Sequence, residues 1–189
     1  MVLAAVLGLA GVLSAADRGT PGHWETLTGC RFLPEKYSDG DSFHVVYGQR
    51  ERIFRLYFVD APETDASFPD RNREQCEHFG ITAEQLKKAA EESKAFAAEW
   101  MSKPFVITTR WQTAMGRSAL PRYYAMVEVA GQDLAELLVS HGWARAKGTV
   151  AVPPGGGKAG DQMEKLRKLE AQAKAKRLGI WAYSKPPAK

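Results

Sequence analysis

The stretch from Asp39 to Thr64, DGDSFHVVYGQRERIFRLYFVDAPET, constrains this chain more than any other. Two runs rich in β-branched and aromatic residues flank Gly48-Gln49, the pattern of antiparallel strands joined by a tight turn. A plain hairpin needs no cluster of charge, yet this one carries Asp41, Arg55, Asp60 and Glu63. In such a hairpin the start of the first strand faces the end of the second, so Asp41 and Asp60 are expected to be neighbours. Carboxylates at that range raise one another's pKa or hold a cation, and an all-oxygen set favours Ca²⁺ or Mg²⁺ over zinc. Alternation along the second strand puts Phe54, Leu56 and Phe58 toward the core and Ile53, Arg55, Tyr57 and Val59 on the other face. Arg55 then projects from a rigid strand, where its planar fork suits a phosphate.

Short runs of strand character occur at Trp24 to Phe32, Ser42 to Tyr47, Arg52 to Asp60, Phe105 to Trp111 and Tyr123 to Val129. Three helical stretches interleave with them. Thr82-x-x-Gln85 reads as a capping box ahead of Leu86, Ala90, Ala97 and Trp100, with Pro104 past the end. A short helix starts at Leu134 and meets Gly142 at its C-terminus. The last helix spans about Asp161 to Leu178, and Pro153-Pro154-Gly155-Gly156-Gly157 forms a loop before it. A parallel α/β sheet needs helices between most strands, and they are absent. The expected class is α+β, mainly β with packed helices: a five-stranded OB-type barrel with about three helices.

Composition sets the outer limits. With 189 residues, 44% hydrophobic and 25% charged, the chain is sized for one ordinary core. A net charge of +4 permits an anionic partner without demanding one. Residues 1–16 carry no charge and end in Ser14-Ala15-Ala16, which fits a signal peptide and predicts a secreted or periplasmic protein. No Lys or Arg precedes that run, so an uncleaved anchor or a buried strand stays open. After it come a linker at 17–23, one domain over 24–182 and a tail at 183–189. Cys30 and Cys76 either pair or remain separate thiols, since spacing alone does not show proximity. The four histidines are scattered, which disfavours a zinc site.

Asp39-Gly-Asp41-Ser, Arg55-Leu and Val59-Asp60-Ala-Pro-Glu63-Thr64 together resemble the signature of the staphylococcal nuclease family. Ala95-Phe96 and the closing run from Leu166 to Trp181 extend the similarity over roughly residues 24 to 181. The resemblance implies a Ca²⁺-dependent phosphodiesterase on an OB-fold, acting as a monomer on single-stranded or frayed DNA and RNA and leaving 3′-phosphates. It implies no stable membrane association once the signal is removed. It places Ca²⁺ on Asp41, Asp60 and the backbone carbonyl of Ala61. Glu63 would act on the attacking water, and Arg55 on the phosphate. For the second arginine of the family, ungapped counting gives Arg122, whereas a preceding glycine would give Arg117. The family's stacking tyrosines have no counterpart between Arg145 and Val152, so Tyr123, Tyr124 or Trp111 would have to substitute. The stretch Asp65 to Gly80 is additional to the family pattern. The competing reading is a non-catalytic OB module that binds nucleic acid or protein.

Overall fold

A computed structural model describes residues 22–35, 38–116 and 118–185. The expected signal peptide, most of the linker, Arg117 and residues 186–189 lie outside the described residues. In chain order the elements are β1 (Glu25–Leu27), β2 (Arg31–Leu33), β3 (Ser42–Tyr47), β4 (Arg50–Leu56), α1 (Pro69–Phe79) and α2 (Ala83–Met101). They continue with β5 (Phe105–Ala114), β6 (Arg122–Val129), β7 (Gln132–Asp133), α3 (Leu134–Ser140) and α4 (Ala159–Ala175), and a 3₁₀ turn follows at Gly179–Ala182.

The class is α+β, with an OB-like arrangement. Among the described residues seven strands stand where five were expected, because Trp24 to Phe32 divides into β1 and β2 and the short β7 joins β6. The strand order is β1-β5-β6-β4-β3-β2, and only the β4–β6 pair is parallel. The hydrogen-bonded sheet is open rather than closed. Its two edge strands, β1 and β2, are nevertheless consecutive in the chain, linked by Thr28-Gly29-Cys30.

β4 departs from simple alternation. Phe54 and Leu56 are buried as expected, but so are Ile53, Tyr57 and Val59. The second face is covered too: Tyr57 stacks on Tyr124 at 5.0 Å and meets Trp24 edge-on at 5.9 Å. The strand also stops at Leu56, and Phe58 sits at φ 69°, so period 2 no longer applies beyond it. The main core gathers Phe43, Val45, Phe54, Leu56, Ile107 and Val127 of the sheet against Leu134, Leu138 and Leu166 of the helices. Each large apolar side chain so buried contributes about 1.5–3 kcal/mol.

The stretch 65–80 contains a helix that hydrophobic periodicity did not reveal. α1 has Pro69 in its first turn and ends at Gly80 in the left-handed region, where Ile81 N–H reaches back to the Cys76 carbonyl. It buries only Gln75 and Phe79, so it carries no apolar stripe. Phe79 joins Leu86, Ala89, Ala173, Ile180 and Trp181 in a second, smaller cluster that ties α1 to α2, α4 and the 3₁₀ turn. α2 begins with the expected capping box, Gln85 N–H donating to Thr82 Oγ1 and Thr82 N–H to Gln85 Oε1. Among the described residues no helix is long and apolar enough to cross a membrane.

Candidate active site

Strand register places the first group. In β4, Arg55 lies between Ser42 of β3 and Tyr124 of β6, while Arg122 pairs with Ile53, two residues earlier. A separation of two along a strand keeps one face, so both arginines rise from the same side of the sheet. Arg122 Nη1 donates to Ser42 Oγ at 3.3 Å, and its Nη2 donates to the Met115 carbonyl. Its Nε is buried with no partner. Burial and the like charge of Arg55 depress the Arg122 pKa. Gly116 packs directly on this guanidinium: a Cβ there would stand 2.3 Å from Nη2. The structure thus places Arg122 beside Arg55, whereas Arg117 lies outside the described residues.

The two aspartates meet at Arg55, Asp41 from the start of the hairpin and Asp60 from four residues past the end of β4. Arg55 Nη2 donates to Asp41 Oδ2 at 2.8 Å and to Asp60 Oδ1 at 3.1 Å, making the two carboxylates neighbours through one guanidinium. Ala61 N–H donates to Asp41 Oδ2 at 3.0 Å. Burial alone would lower the pKa of Arg55, but Asp41, Asp39 and Asp60 outweigh it and fix the positive charge. Asp39 is also buried and accepts from Asp41 N–H at 3.2 Å. Burial and the adjacent Asp41 push its carboxyl well above the usual range. The bend that brings Asp39 and Asp41 inward needs Gly40, since a Cβ there would lie 2.1 Å from Ser93 Oγ of α2.

Asp60 gains partners that sequence reasoning did not find. Arg145, on the loop after α3, contacts Asp60 Oδ2 through Nε at 2.9 Å and Nη2 at 2.7 Å. Arg71 of α1 contacts Asp60 Oδ1 at 2.7 Å and Glu63 Oε2 at 2.9 Å. Burial disfavours the Asp60 carboxylate, yet Arg71 and Arg145 more than offset this and hold its pKa below the usual range. Gln75 Nε2 donates to the Ala61 carbonyl at 2.8 Å and to Asp60 Oδ2 at 3.1 Å, while its Oε1 accepts from Glu63 N–H at 2.9 Å. Glu74 pairs with Arg145 and with Lys147. The charge that seemed to need an outside cation is thus balanced within the chain. The only sequence signal for Arg71, Glu74 and Gln75 was the additional stretch 65–80 itself, and for Arg145 and Lys147 there was none.

Arg55, Asp60, Arg71, Arg122, Tyr124 and Arg145 line a cleft of about 540 Å³. Tyr124 is the one candidate stacking aromatic on its wall; Tyr123 instead packs on Trp111 and Phe54. Among the described residues no three carboxylate, imidazole or thiol groups form a ready metal cage. The donor set still fits a hard cation in one respect: Asp41 Oδ1 is buried with no partner, which is costly for a carboxylate oxygen unless something binds it. The Ala61 carbonyl is also at hand, although Gln75 holds it. Cys30 and Cys76 are both free thiols and pack in different clusters.

The sequence model for staphylococcal nuclease homologues matches residues 53–183, more than half of the chain. The match includes Arg55, Asp60, Glu63 and Arg122 and begins after Asp41, which the β3–β4 pairing brings to the others. The family is one of nucleases, and it gives the clustered acids and arginines a context that the sheet alone did not. With this match over an OB-like sheet, the chain belongs to the staphylococcal nuclease family.

Proposed function

We propose that the protein is a Ca²⁺-dependent nuclease that hydrolyses phosphodiester bonds in single-stranded or frayed DNA and RNA and leaves 3′-phosphates. The observation that carries this reading is the clustering of Arg55, Asp60 and Arg122 on the wall of one cleft, with Asp41 held behind it by Arg55 and Glu63 by Arg71. Asp41, Asp60 and the Ala61 carbonyl would hold the cation. When bound, it supplies positive charge beside the phosphate. Arg55 and Arg122 grip the non-bridging oxygens and match the negative charge that grows as water attacks. Glu63 accepts a proton from that water as its oxygen bonds to phosphorus. The P–O5′ bond breaks, and the departing oxygen takes a proton from solvent. Tyr124 offers a face for one base, a contact of about 1–3 kcal/mol. The apolar run at 1–16 supports export, which would put the enzyme where Ca²⁺ is plentiful.

The test is digestion of single-stranded DNA and RNA with Ca²⁺, with and without a chelator, and end-group mapping of the products. Cleavage that depends on Ca²⁺ and yields 3′-phosphates is the expected result. Binding without any Ca²⁺-dependent cleavage would leave the non-catalytic module as the better reading.

A further inference from the structure

The additional helix α1 places three side chains against the site from a single face. Arg71, Glu74 and Gln75 stand at i, i+3 and i+4, the spacing that brings helical residues side by side. Arg71 bridges Asp60 and Glu63, and Gln75 covers the Ala61 carbonyl and Asp60. These are acceptor groups that the function above assigns to the cation and the attacking water. Glu74 meets Arg145 and Lys147 as an anion, with Nη1 of Arg145 at 2.7 Å and Nζ of Lys147 at 2.9 Å. Arg73, Cys76 and Glu77 border a different cleft.

We propose that α1 is a self-occupying cap. Arg71 and Gln75 fill the cation's place, and Glu74 fills that of a second substrate phosphate, whose seat is Arg145 with Lys147. From Arg71 to Gln75 the helix meets the site through ion pairs and hydrogen bonds and buries only Gln75, so lifting this part exposes little apolar surface while Phe79 stays seated in the second cluster. Cation and polyanion each compete with one charge of the cap. The cap therefore yields most readily when both arrive together, since only ligands that favour the open state can shift the balance. This inference rests on the function proposed above.

Two matched pairs of variants test it, each changing charge by the same amount on the same helix. Calorimetric titration with Ca²⁺ should show R71Q binding about tenfold or more tightly than the parent, as expected for removal of a contacting charge. R73Q, whose guanidinium pairs with exposed Asp70, should stay within about twofold of it. In EDTA, where no cleavage occurs, E74Q should bind an oligothymidylate several-fold more tightly by fluorescence anisotropy, and E77Q should not. Amides of α1 in the parent protein should exchange faster when Ca²⁺ is added. If R71Q matches R73Q, or E74Q matches E77Q, long-range charge explains the effect and the cap is wrong. If no form binds Ca²⁺, the cation assignment under the proposed function falls together with the cap.

Discussion

Asp60 and Arg145 hold one another twice. Their backbones exchange N–H to carbonyl hydrogen bonds at 3.1 Å in both directions, and their side chains form an ion pair at 2.7 Å, across 85 positions of sequence. The bridge fastens the end of the hairpin to the loop after α3 and fixes the direction in which the Asp60 carboxylate points.

Arg145→Ala leaves the Asp60 carboxylate short of its buried partner. Removing one member of a buried pair costs about 3–5 kcal/mol, and the side chains here are 2% and 10% exposed. Urea unfolding should show a loss of that order, with Arg145→Lys in between. A loss under about 1 kcal/mol would mean that the backbone bridge alone carries the junction.

Glu63→Gln should fold, because its amide oxygen can still accept from Asp65 N–H as Glu63 Oε1 does at 3.0 Å. Without a general base, cleavage of single-stranded DNA should fall by about 10²- to 10⁴-fold. Glu63→Ala should fall at least as far. Single-turnover rates near the parent value for either variant would remove Glu63 from the chemistry.

Gly116→Ala tests the second arginine without altering it. The added methyl would overlap the Arg122 guanidinium, the far end of a flexible side chain, so the chain folds while that group shifts. A displacement of about 1 Å from productive geometry can cost about 100-fold in rate. The expected result is an unchanged melting temperature with a large fall in kcat. Full activity would show that Arg122 does not touch the reacting phosphate.

Acid should loosen α1 before the rest of the fold. The Arg145 hydrogen bond holds Glu74 at a pKa of about 2, below its ordinary 4.5. Ionised Glu74 therefore favours the folded state; the contribution is complete above the ordinary value and is lost as pH falls toward 2. Because the side chain is 45% exposed, solvent screening limits it to roughly 1 kcal/mol or less. Melting temperatures between pH 3 and pH 6 should fall less steeply for Glu74→Gln than for the parent. Parallel curves would show that Glu74 takes no part in acid sensitivity.

The sheet and the acid set were legible because their signals are local. Turn residues bracket β3 and β4, and the hairpin brings Asp41 close to Arg55, whose Nη2 meets both Asp41 and Asp60. The capping box at Thr82 was readable for the same reason. α1 was not, since a helix that buries ion pairs leaves no apolar stripe for periodicity to detect, despite Pro69 and Gly80 at its ends. Arg145 and Arg71 reach Asp60 from distant segments, and no spacing rule links such positions. Alternation does not foretell the burial of Ile53, Tyr57 and Val59, because it describes a sheet with one wet face, and here the second face is also covered around these residues.

The splitting of the first long strand has a consequence for how the chain is built. β2 pairs with β3 close by in sequence, whereas β1 must wait for β5, where Glu25 meets Thr109. During synthesis, β2 can join a three-strand meander early while its immediate predecessor stays without a partner. β1 therefore cannot be seated until β5 has been made, and what holds it then is a segment synthesised long after it.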